Sequence, residues 1–97
     1  MKPEELNTAL RMEIIHYRET DEITNELKLF IMELILAESK KRLSIGSDNI
    51  KILCEARAYI DCCKHCIHYN PDKSDNAYGY IMQLIRCAFA LEIAKNG

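Results

Sequence analysis

The run Cys62-Cys63-Lys64-His65-Cys66-Ile67-His68 gathers three thiols and two imidazoles within seven residues. Cysteines three or four apart with histidines nearby are what a zinc site is built from. On a helical wheel of about 100° per residue, however, Ile52, Ala56, Tyr59, Ile60, Cys63, Cys66 and Ile67 share one apolar face. His65 and His68 fall on the other side, with Arg57, Asp61 and Lys64. Tetrahedral ligation needs ligands that converge on one point, so a set split across two faces closes no metal site by itself. The thiols Cys63, Cys66 and Cys87 read instead as small buried hydrophobes, which leaves Cys54 or Cys62 as the candidate for partial exposure. No Cys-His-acid arrangement can be assigned, and an active thiol needs an electropositive pocket. The expectation is a chain with no catalytic residue, no metal ligand and no cofactor: not an enzyme.

The elements that carry these residues are all helical. Pro3 with Glu4 and Glu5 suits a first helical turn, and Leu6, Leu10, Ile14 and Tyr17 then recur at helical spacing, which predicts a helix over residues 3 to 19. Thr20, Asp21 and Thr24 offer caps. In the second helix Leu27, Phe30, Ile31, Leu34 and Ile35 form one stripe, and Leu29, Met32, Leu36 and Leu43 form another opposite it, so this helix is expected to pack on both faces. Lys40, Lys41 and Arg42 close it, and Ser44 to Asn49 with Gly46 makes a loop. Ser47 or Asp48 caps a third helix that runs to Tyr69, where Asn70-Pro71 forces the chain out of helical geometry. Ser74 or Asp75 caps a fourth that reaches Lys95. No alternating strand pattern and no internal repeat is visible. The fold class expected is all-α, a compact bundle of about four helices forming a single domain over residues 1–97.

Composition narrows the functional classes. The chain is 48% hydrophobic and 29% charged with three Gly and two Pro, the balance of a folded domain. Its formal net charge of −2 argues against holding nucleic acid unaided, because neutralising phosphates supplies most of such affinity. The stretch Tyr78 to Ala94 is interrupted by Gln83, Arg86 and Glu92 and reads as a core helix, not a membrane span. The N-terminal segment has acids and a Pro where an export signal needs a basic start and an apolar run, so a cytoplasmic location with reduced thiols is expected.

One further pattern lies in the order of features across residues 29 to 95: LFIMELILAESKKRLSI, a polar break, and a helix ending CIHYNPDKSDNAYGYIMQLIRCAFALEIAK. A hydrophobic helix closing on a basic cluster precedes a helix closing on Tyr69-Asn70. A short polar turn then leads to an Ala77-Tyr78 pair opening an apolar helix. This order resembles region 2 of the sigma-70 family of bacterial RNA polymerase sigma factors, most nearly the small late-transcription sigma factors of tailed bacteriophages, and Leu6 to Ile15 extends the likeness toward the N-terminus.

The resemblance implies a sigma domain 2-like bundle in a bacterial host cytoplasm. It implies that the helix from Asp48 to Tyr69 docks on the coiled-coil clamp helices of the largest catalytic polymerase subunit, with Arg57, Asp61, Lys64, His65 and His68 as the polymerase-binding side chains. It further implies that the following turn and helix meet melted promoter DNA, for which Lys73, Tyr78, Tyr80 and Arg86 are the candidates. The likeness departs in charge: from Asn70 to Gly97 three cations are matched by three acids, where the family's DNA-facing helix is basic. The aromatic pair that family members use for melting is replaced around Ile81 and Met82. Two polymerase-directed functions follow, a minimal sigma factor acting with a coactivator or a sigma mimic that occupies the clamp without reading DNA. A helical adaptor unrelated to transcription is the third expectation, since architecture does not fix function.

Overall fold

The missing N–H of Pro3 falls where a helix has no internal acceptor for it, and Glu4 and Glu5 sit in the first turn, where the helix dipole favours acids. Helix α1 therefore starts there and spans Pro3–Thr20. It ends as Asp21 turns into left-handed backbone (φ 59°), its N–H donating to the Tyr17 carbonyl at 2.7 Å. The computed structural model describes residues 2–43 and 48–96. Among the described residues four α-helices and one 3₁₀ turn form, with no strand: α1, α2 (Asn25–Arg42), α3 (Asp48–His65), the 3₁₀ turn Cys66–His68, and α4 (Ala77–Asn96). The chain is an all-α bundle. None of these helices is long and apolar enough to cross a membrane.

Thr24 caps α2, its hydroxyl accepting the Leu27 N–H at 3.1 Å and donating to Glu13 of α1 at 2.8 Å. At the other end Lys40, Lys41 and Arg42 occupy the last turn, where cations offset the negative end of the helix dipole. The loop expected from Ser44 and the alternative cap at Ser47 lie largely outside the described residues.

The core is a continuous cluster drawn from every helix: Leu10 and Ile14 of α1, Leu27, Ile31 and Ile35 of α2, Cys54, Ala58 and Cys62 of α3, and Ile81, Ile85 and Phe89 of α4. Full burial of each large aliphatic side chain contributes about 1.5–3 kcal/mol before chain entropy is set against it. The most extensive helix contact is α3 against α4, and the buried face of α3 is made of the small residues Cys54, Ala58 and Cys62. The Cys54 thiol lies 3.9 Å from the Phe89 carbonyl.

Four expectations are corrected here. The second helix is not packed along both faces: Leu29 is 63% and Leu36 49% exposed, and of the opposite stripe Leu43, at the C-cap, is the member that is buried. The core face of α3 is also rotated from the expected one. Ile52 and Ile60, each 62% exposed, and Ala56 point outward, while Cys54, Ala58 and Cys62 are fully buried. The thiol assignment changes with it, since Cys54, Cys62 and Cys66 are buried, Cys63 is half-buried and Cys87 is exposed. Finally, α4 is capped by Asn76 and not by Ser74 or Asp75: the Gly79 N–H donates to Asn76 Oδ1 at 2.9 Å.

Candidate functional site: the outer face of α3 and its junction with α4

Helix α3 does not continue to Tyr69 as regular α-helix. It gives way to the 3₁₀ turn at Cys66, and this leaves terminal carbonyls that need donors from elsewhere. Three side chains supply them. Tyr17 donates to the Cys63 carbonyl at 3.3 Å, Tyr80 to the His65 carbonyl at 3.3 Å, and Arg18 to the Tyr69 carbonyl at 3.0 Å. The rings of Tyr69 and Tyr80 lie 5.6 Å apart in a tilted pair, and the buried Tyr69 hydroxyl donates to the Ser74 carbonyl. The start of α4 is held just as firmly. Asn7 of α1 donates to the Asp75 carbonyl at 2.8 Å and accepts the Tyr78 N–H at 2.9 Å.

Beside this junction is an open cleft of about 490 Å³ whose lining includes His68, Lys73, Asn76, Tyr80 and Gln83. The structure thus brings together His68, Lys73 and Tyr80 from the sequence-derived candidates. His65 and His68 are close neighbours, with ring centroids 5.8 Å apart. Tyr78 is exposed but does not line the cleft, and Arg86 is elsewhere, donating to Glu38 of α2 at 2.9 Å. Tyr80 and Arg86 are therefore engaged in holding the bundle, whereas Lys73 and Tyr78 face solvent.

The polymerase candidates divide in a similar way. Arg57 pairs with Asp61 at 3.5 Å and with the buried Glu92 of α4 at 3.3 Å, so these charges lie on the edge of α3 that meets α4. Lys64 and His68 are exposed. Sequence reasoning missed what lies outward on α3: the apolar side chains Ile52, Leu53 and Ile60, the last two 44% and 62% exposed. The four-residue spacing of Ile52, Ala56 and Ile60 was visible, but Cys54, Ala58 and Cys62 share it, and only the packing decides which stripe is core.

Burial disfavours the thiolate at four of the five cysteines. Burial pushes Cys62 and Cys66 up to about 12, with the neighbouring thiols adding to the shift. Burial also raises Cys54 and Cys63. A raised pKa disfavours the thiolate, the form that attacks and that ligates metal. Among the described residues no three His, Cys, Asp or Glu side chains are grouped so as to hold a metal ion.

No protein-family model, curated protein or solved structure matches the chain. Its function is read from its own surface and from the order of features in its sequence.

Proposed function

We propose that this protein acts by docking the outer face of α3 on another macromolecule, and that the partner is the coiled-coil clamp of bacterial RNA polymerase, as in a minimal sigma factor of the phage late-transcription type. The observation that carries the docking is the outward placement of Ile52, Leu53 and Ile60 on a helix whose core face is already complete. Such apolar side chains, rimmed by Asp48 and Lys64, have the make-up of an interface: an apolar centre with a charged edge. The choice of polymerase is supported by the sequence order from Leu29 to Lys95. Within this reading Lys64 and His68 are the accessible polar contacts, with Arg57, Asp61 and His65 at the margin.

A second reading, a sigma mimic that occupies the clamp without recognising promoters, is favoured by one observation. Of the DNA candidates, Tyr80 and Arg86 are committed to internal hydrogen bonds, leaving Lys73 and Tyr78 to meet nucleic acid on a segment of balanced charge. A minimal sigma factor would then need a coactivator to supply the missing cationic contacts.

The test is capture of bacterial core RNA polymerase by the tagged chain, with and without excess housekeeping sigma factor, followed by a gel shift with fork-junction DNA. Capture that sigma competes away supports the clamp site. A DNA shift selects the minimal sigma factor, and its absence the mimic. No capture at all removes the polymerase reading and leaves a helical adaptor for some other partner.

A further inference from the structure

We infer that α3 is also a self-association surface, on which two copies of this chain pack antiparallel about a two-fold axis through Ala56. Asp48, Ile52, Ala56, Ile60 and Lys64 follow at four-residue steps, which is the ridge that the surface of an α-helix presents to a neighbour. All five are exposed. A two-fold contact requires one patch to complement itself, and this ridge does so only when reversed. Turned about Ala56, it sets Ile52 against Ile60 of the second copy and brings the Asp48 end to the Lys64 end. A parallel arrangement would instead join Asp48 to Asp48 and Lys64 to Lys64, placing like charges together. The opposite charges at the two ends thus select the antiparallel pair.

The middle of the ridge fits the same geometry. Alanine at the crossing point lets the two helices come to the short end of the usual interaxial range, about 8 Å, while the isoleucines fill the space on either side. Leu53 borders the ridge and is exposed as well. One helix face per copy is a small interface, so association is expected at micromolar concentration and not at nanomolar. If the outer face of α3 also meets polymerase, dimer and polymerase complex exclude one another; that consequence rests on the reading above, whereas the dimer does not.

The experiment is sedimentation of the full chain, without polymerase, from micromolar to near-millimolar concentration. The expected result is a mass rising from 11.3 kDa toward twice that value. Ile60→Asp, checked for retained helicity by circular dichroism, should hold the chain at the monomer mass. Lys64→Glu should loosen the dimer by about threefold to tenfold, the range of exposed charge pairs counted twice by symmetry. Asp48→Lys combined with Lys64→Asp in one chain should restore it, because each lysine again meets an aspartate across the axis. A chain that stays monomeric throughout overturns the proposal. So does a dimer indifferent to Ile60→Asp, or one that the double reversal fails to restore.

Discussion

The Arg86 guanidinium donates to the Glu38 carboxylate at 2.9 Å, joining α4 to α2 at an acid only 3% exposed. Arg42 reaches the same oxygen at 3.1 Å. Burial by itself pushes the Glu38 carboxyl up, but the hydrogen bond from Arg86 and the charge of Arg42 outweigh it and hold the group below the usual carboxylate range. The unfolded chain therefore takes up this proton first as pH falls. Stability from Glu38 is present above the ordinary glutamate value of about 4.3 and is lost as pH drops through the lowered folded value. Urea midpoints measured across the acid range should fall less steeply in Glu38→Gln than in the natural chain. At neutral pH the variant should be less stable by about 1–3 kcal/mol, the cost of leaving two guanidinium groups without their charged acceptor.

The thiols make the opposite prediction. Burial pushes Cys62 and Cys66 up to about 12 in the folded chain, above the ordinary value of about 8.5, so unfolding is favoured as pH rises between those limits and not below them. At mildly alkaline pH a coloured thiol reagent should modify exposed Cys87 first and Cys63 more slowly. Cys54, Cys62 and Cys66 should react only at the rate of global opening, and added urea should bring the three in together. Fast modification of Cys62 in folded protein would contradict its burial.

Asn7 ties α1 to the first turn of α4 through both ends of its amide, doing across the fold what a capping residue does within a helix. Asn7→Ala should cost about 1–2 kcal/mol. Because Asn76 still caps Gly79, α4 should persist. Hydrogen exchange should quicken at the Tyr78 amide and little elsewhere, which separates loss of this tie from general destabilisation.

Much of the fold was legible because helices announce themselves locally. Pro3, Thr24 and the Lys40-Lys41-Arg42 cluster mark ends through effects confined to one turn, and the expected limits of α1 and the expected end of α2 agree with those observed to within a residue or so. The outer surface was not legible in the same way. On α3, Ile52-Ala56-Ile60 and Cys54-Ala58-Cys62 have one spacing, and hydrophobicity ranks the isoleucines above the cysteines as core. The bundle buries the smaller set, on the helix that makes its most extensive contact with α4. The tie that α1 makes to the start of α4 was hidden for a related reason: Asn7 lies 68 residues from the Asp75 carbonyl it binds, and no local pattern encodes such a partner.

Arg57 and Lys64 separate fold from interface. Arg57 spans Asp61 and the buried Glu92, so Arg57→Met should lower stability by about 1–3 kcal/mol through loss of its ion pairs to the two carboxylates. Loss of partner binding in that variant would be ambiguous. Lys64 is exposed at the end of α3, and a surface charge away from packed features changes stability by about 0.5 kcal/mol or less. Lys64→Glu should therefore melt within a degree or two of the natural chain while weakening capture of core polymerase, most visibly at low salt, where complementary charges speed association. Unchanged capture by a well-folded Lys64→Glu chain, with Ile60→Asp also binding normally, would remove the outer face of α3 from the polymerase contact altogether.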